Sequence, residues 1–147
     1  MTRVDFYLLT DLGDDARMRF ACQLCLRAMK AGTVVHIHTR DTAHANAVDE
    51  LLWDYPRHRF LPHSVNDASA SSPIHISDQE PSLTEGTLIN LTDEVPKFFG
   101  RFDRVAEIIV GEGKASGRDR YQFYRDRGYP LHHHNLDSWE QSDALAS

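Results

Sequence analysis

The sequence predicts a three-layer α/β domain with a mainly parallel central sheet and helices on both faces. Three observations carry that expectation. Apolar residues recur with a period near two in some stretches and near 3.6 in others, and the two kinds of stretch alternate along the chain. The strand-like stretches are apolar enough to lie inside a sheet covered on both sides. The length, 147 residues, fits one such domain and its core, and 41% hydrophobic with 26% charged residues is an ordinary globular composition.

Val4–Leu9 (VDFYLL) reads as the first buried strand, ended by the turn residues Thr10 to Asp14. A helix from about Asp15 to Lys30 follows, with Phe20, Ala21, Leu24, Cys25 and Ala28 on one stripe and Gly32 as its stop signal. Thr33–Thr39 (TVVHIHT) is the second strand. The second helix runs from about Thr42 to Tyr55, with Ala47, Val48, Leu51, Leu52 and Tyr55 inward and Pro56 ending it. Arg59–His63 is short and extended. Residues 64–87 hold most of the Ser, Asn and Asp and are expected to form a long surface loop carrying an edge strand at Ile74–Ile76. Thr87–Leu91 is another buried strand, Pro96–Phe102 a short helix opened by its proline, and Arg104–Val110 the last strand of the sheet. A final helix from about Lys114 to Arg127 closes at Gly128. Strand–helix–strand connectivity favours right-handed crossovers, so the expected arrangement is Rossmann-like. Residues 1–140 are expected to form this single domain, and 141–147 a flexible tail.

Charge argues against autonomous nucleic-acid binding. The chain has 16 basic and 22 acidic residues, a net charge of -6, where such proteins usually carry positive charge. There is no signal-peptide pattern at residues 1–12 and no run of about 18 apolar residues, so a cytoplasmic protein without a membrane span is expected.

The motifs of small-molecule chemistry fail on inspection. In Gly111-Glu112-Gly113-Lys114-Ala115-Ser116-Gly117, Ala115 stands where a phosphate loop needs Ser or Thr, and Ile108 where it needs the leading glycine. After the first strand, Asp11 and Asp14 replace a dinucleotide-binding glycine pattern and would repel a pyrophosphate. Cys22 and Cys25 fall mid-helix rather than at a helix N-terminus, which suits buried fillers better than a redox pair. Neither His36 and His38 nor His132-His133-His134 comes with the partners of a ligand motif, and the triple histidine reads as polar loop. No metal or cofactor is expected.

Two features point to partners. Trp53 projects nearly opposite the apolar stripe of its own helix, so it packs under a loop or serves an interface. In the last helix Lys114, Arg118, Gln122 and Arg125 follow at i, i+4, i+8 and i+11, with Tyr121 between them. From Gly113 to Gly128, five basic against two acidic residues give +3, leaving -9 on the rest of the chain. Such a stripe suits a short acidic peptide or a phosphate.

In order along the chain, several segments resemble the chi subunit family of bacterial DNA polymerase III, also called HolC. They are Asp5-Phe6-Tyr7-Leu8-Leu9, Asp49-Glu50-Leu51-Leu52-Trp53 leading into Phe60-Leu61-Pro62-His63, and Leu88-Ile89-Asn90-Leu91. Phe102 to Val105, Arg118 to Arg125 (RDRYQFYR) and Gly128-Tyr129 complete the pattern. The resemblance implies a Rossmann-like fold without a nucleotide site and a non-catalytic, cofactor-free accessory subunit in the clamp-loader part of the polymerase holoenzyme. It implies two partners. The psi subunit would be met through Trp53 and Phe60. The acidic C-terminal tail of single-stranded DNA-binding protein would be met through Ile109, Arg118, Tyr121, Gln122 and Arg125, making contact with DNA indirect. Where this chain has Gln122 the family often has lysine, which removes one cation. The competing reading is a small nucleotide- or metal-dependent enzyme on the same fold, which predicts a polar pocket at the carboxyl ends of the strands.

Overall fold

The computed structural model describes residues 1–54, 62–66, 72–82, 85–137 and 139. Phe60, the expected helix end at Tyr55, most of the extended segment from Arg59, and the 141–147 tail lie outside the described residues. The elements are β1 (Arg3–Leu9), α1 (Asp14–Lys30), β2 (Val35–His38), α2 (Thr42–Asp54), β3 (His63–Val65), β4 (Ile74–Ser77) and β5 (Thr87–Asn90). A 3-10 turn at Phe99–Arg101, β6 (Arg104–Ile109), a second 3-10 turn at Gly111–Gly113, α3 (Lys114–Asp126) and β7 (Leu131–Leu136) follow. The strands form one seven-stranded sheet in the order β3-β4-β2-β5-β6-β1-β7, and every pairing is parallel.

Because side chains alternate across a strand, each strand feeds two cores. Leu9, Ile37, Ile76, Ile89 and Ile108 pack with Phe20, Cys25, Val48 and Leu52 under α1 and α2. On the other face Phe6, Leu88, Val105 and Ile109 pack with Phe98, Phe99, Phe102 and Tyr124, beneath the 3-10 turn and α3. Helices therefore cover both faces, as expected. Cys22 and Cys25 are fully buried, and burial pushes the Cys22 thiol up to about 12, so both serve as small apolar fillers. No helix among the described residues is long and apolar enough to cross a membrane.

Three local expectations are corrected. Ile74–Ser77 is not an edge element: it lies between β3 and β2, with Ile74 and Ile76 fully buried, and the edge falls to the three-residue β3. Pro96–Phe102 yields a single 3-10 turn, because Phe98, Phe99 and Phe102 all turn inward and a regular helix would not present them together. Most consequentially, the sheet does not end at β6. The triple histidine is an edge strand, β7, pairing parallel with β1 in the register Asp5↔His132, Phe6↔His133, Tyr7↔His134. His133 and His134 stack on Phe6 and Tyr7, so imidazoles do the work that aliphatic residues do elsewhere. Gly128 allows this strand to form. Its φ of +77° and the Tyr129 N–H bond to the Tyr124 carbonyl at 3.2 Å end α3 in a Schellman turn.

A buried ionic network fastens α3 to the sheet. Glu107, wholly inaccessible in β6, accepts hydrogen bonds from Arg120 Nε at 2.8 Å, the Tyr124 hydroxyl at 2.8 Å and Asn90 Nδ2 at 3.0 Å. Burial and the adjacent Glu107 hold the Tyr124 hydroxyl far above its usual pKa, so it stays a donor. Arg120 is thus no part of a surface stripe: it is 3% exposed and neutralised by Glu107. At the carboxyl ends of β5 and β6, Arg17 of α1 donates to the carbonyls of Ile108 at 3.0 Å and Thr92 at 2.8 Å. The guanidinium of Arg17 thereby covers the carboxyl ends of β5 and β6.

Removing one member of the buried pair strands the other. Arg120→Ala is expected to lower stability by about 3–5 kcal/mol, and Arg118→Ala, on the exposed side of α3, by no more than about 0.5 kcal/mol; urea unfolding followed by circular dichroism compares them. His36 supplies a pH test. It is buried against Phe98 and Phe102, neither ring nitrogen has a partner among the described residues, and desolvation, aided by His38 and His75, pulls its pKa from 6.5 to about 3. The unfolded chain then binds more protons between those values, so stability must fall as the pH drops through that window. The expected loss from pH 7 to pH 5 is about 1–2 kcal/mol, and His36→Phe should flatten that slope in urea titrations.

Candidate functional site

A pocket of about 560 Å³ opens where β1, β6 and β7 end beside the first half of α3. Phe6, Leu8 and Ile109 supply an apolar floor, and Tyr121 and His133 line its side. Tyr121 is held edge-on to Phe6 at a centroid distance of 5.4 Å and lies 5.1 Å from His133. Lys114 and Arg118, both exposed, stand at the rim, with one exposed carboxylate, Asp137, on the same lining.

The sequence builds this pocket through helical spacing. Gly117, Arg120 and Tyr124 form the inward face of α3, which leaves Lys114 and Arg118 outward and Tyr121 on the border. Gly117 sets the depth. A Cβ there would lie 2.7 Å from Ile109 Cδ1, so α3 rests on β6 more closely than any other residue permits without moving Ile109. The first turn of α3 carries no acidic residue and no side-chain cap, so its N-terminal dipole adds to the positive potential of Lys114 and Arg118. An apolar floor under a cationic rim accommodates a ligand with one apolar group and several negative charges.

Of the five residues predicted on this side, Ile109, Arg118 and Tyr121 come together around the pocket. Gln122 and Arg125 lie farther along the same exposed face, beyond the lining residues, and Arg125 is 3.4 Å from Asp126. Sequence reasoning missed His133, Phe6, Leu8 and Leu12. The histidine was hidden because β7 was read as loop, and the leucines because strand-end residues carry no periodic signal. With Arg120 buried, the exposed charge of the helix segment is smaller than the sequence count. It rests on Lys114, Arg118, Arg125 and Arg127, against Asp119 and Asp126.

Trp53 lies on the other side of the sheet, on α2. It is 59% exposed, with its ring edge-on to His63 at 5.0 Å. His63 Nε2 in turn meets Asp49 Oδ1 at 2.8 Å, so β3 is tied to α2 beside the tryptophan. Phe60, predicted to accompany it, is outside the described residues. Among the described residues no group of three or more His, Cys, Asp or Glu is arranged to hold a metal ion.

Residues 1–132 match the family model described as DNA polymerase III chi subunit, HolC. The chain is 39% identical over 139 residues to the DNA polymerase III subunit chi of Pseudomonas aeruginosa, covering 92% of this chain and 98% of the relative. It is 28% identical over 137 residues to the subunit chi of Haemophilus influenzae, covering 89% and 95%. The subunit chi of Escherichia coli is likewise 28% identical, over 150 residues, covering 95% and 100%. The chain belongs to the DNA polymerase III chi subunit (HolC) family.

Proposed function

We propose that the chain is a non-catalytic replication adaptor that grips the acidic C-terminal tail of single-stranded DNA-binding protein in the α3 pocket. It would hold the psi subunit, and through it the clamp loader, around Trp53 and Phe60. The observation that carries the tail reading is the pocket itself: an apolar cleft on Phe6, Leu8, Ile109 and Tyr121 with Lys114 and Arg118 at its mouth. A terminal apolar side chain enters the cleft, while the preceding aspartates and the free carboxylate meet the cations through charge-assisted hydrogen bonds. Arg125 and Gln122, farther along the same helix, meet residues upstream in the tail. The contact is short and exposed, so it is weakened by salt and releases readily. The psi reading is supported by family membership and by a large aromatic exposed on α2.

Arg118→Ala is expected to weaken an acidic tail peptide by about 1–3 kcal/mol, read by calorimetric or fluorescence titration, while the urea midpoint stays in place. An unchanged affinity would sink the tail site. For the second surface, the double variant Trp53→Ala, Phe60→Ala should lose co-purification with psi yet bind the tail peptide normally; retention of psi would show the interface lies elsewhere.

A further inference from the structure

A second pocket, of about 340 Å³, opens at the opposite end of the sheet, where the amino ends of β1, β5 and β6 meet the last turns of α1. Asp5 lies at its base. Its carboxylate is 3% exposed and lies 3.1 Å from Arg3 Nη2 and 3.0 Å from His134 Nε2. Two guanidiniums on the lining are far less engaged. Arg104 approaches Asp5 only at 3.7 Å, beyond hydrogen-bond length. The Arg27 guanidinium has no hydrogen bond or ion pair among the described residues, and it lines the same pocket. Arg27 and Arg104 line the cavity together, with Arg3 outside the lining. Burial and then Asp5 raise the pKa of the Tyr7 hydroxyl on the same lining, and Arg104, Arg27 and Arg3 each oppose that rise.

A cation in the last turn of α1 suits the helix dipole whether or not a ligand binds. That accounts for the charge of Arg27, but the donors of Arg27, and those of Arg104 beyond its 3.7 Å approach to Asp5, still face one cavity. On the lining Arg27 and Arg104 stand against Asp5, whose charge Arg3, outside the lining, already meets at 3.1 Å, so the cavity keeps a positive balance. A phosphate monoester carries about -1.5 to -2 at neutral pH and offers three acceptor oxygens to guanidinium forks. Thr33 and Thr87 on the lining add hydroxyl groups, and the apolar wall provided by Leu24 and Ala28 suits the body that bears the phosphate. We propose that this pocket binds a terminal phosphate monoester, carried by a small molecule or by the end of a nucleic-acid strand. The site is independent of the peptide pocket, which lies at the other end of the sheet.

The test is an amide-resonance titration of the full chain with four probes: inorganic phosphate, a nucleoside monophosphate, a 5′-phosphorylated single-stranded oligonucleotide and its 5′-hydroxyl counterpart. Saturable shifts are expected at Thr33, Thr87 and Arg104. Arg27→Ala should weaken binding about tenfold while leaving the rest of the spectrum intact, the effect of losing a charge-assisted donor. Arg118→Ala should leave it unchanged. Binding of the phosphorylated but not the hydroxyl oligonucleotide identifies a strand end, and binding of the monophosphate alone identifies a small molecule; either supports the site. Absence of saturable shifts with all four probes overturns it. So do shifts confined to the surroundings of Lys114 and Arg118, equal binding of both oligonucleotides, or affinity unaffected by Arg27→Ala.

Discussion

A carboxylate with no exposed surface lies in the middle of the sheet at Glu107, and the placement of α3 depends on how it is satisfied. Arg120 and Tyr124 reach it from the helix and Asn90 from the neighbouring strand. A buried charge left without those partners is costly, so the three donors fix both the rotation of α3 about its axis and its position along β6. Everything on the outer face of the helix follows. With Arg120 and Tyr124 inward, Arg118 must point out, and Tyr121 must fall on the border between sheet and solvent. The charged pair also defines what α3 does not do: it takes one arginine out of the basic stripe and into the core.

The sheet itself separates the two surfaces on which the proposed partners would sit. The α3 pocket opens at the carboxyl ends of β1, β6 and β7, whereas Trp53 stands on α2 beyond the other face. Partners on these two surfaces need not compete for space. At the carboxyl ends of β5 and β6, Arg17 donates into the carbonyls of Ile108 and Thr92 and ties α1 to the sheet.

Much of this was legible before any coordinate. Strands β1, β2, β5 and β6 and helices α1 and α2 announce themselves by apolar periodicity, α3 by its basic stripe and the Gly128 that follows it. The failures share a cause. His132–His134 carry no aliphatic pattern, because an edge strand half open to solvent can be built from imidazoles that stack on Phe6 and Tyr7. Ile74 and Ile76 were visible as a strand, but nothing local tells an edge from an interior position. The charge of Arg120 reads the same in sequence whether its guanidinium meets water or Glu107.

The sequence by itself determined the fold class, the alternation of strands and helices, the lack of a glycine-rich nucleotide loop, and the outward direction of Trp53, Lys114 and Arg118. Those properties depend on residues within a few positions of one another along the chain. Only the tertiary structure decided the strand order, the seventh strand, the burial of Arg120 on Glu107, and the meeting of Phe6, Ile109, Tyr121 and His133 in one pocket. Each of these joins residues far apart in sequence, and which distant groups meet is set by the joint packing of sheet and helices rather than by any local preference.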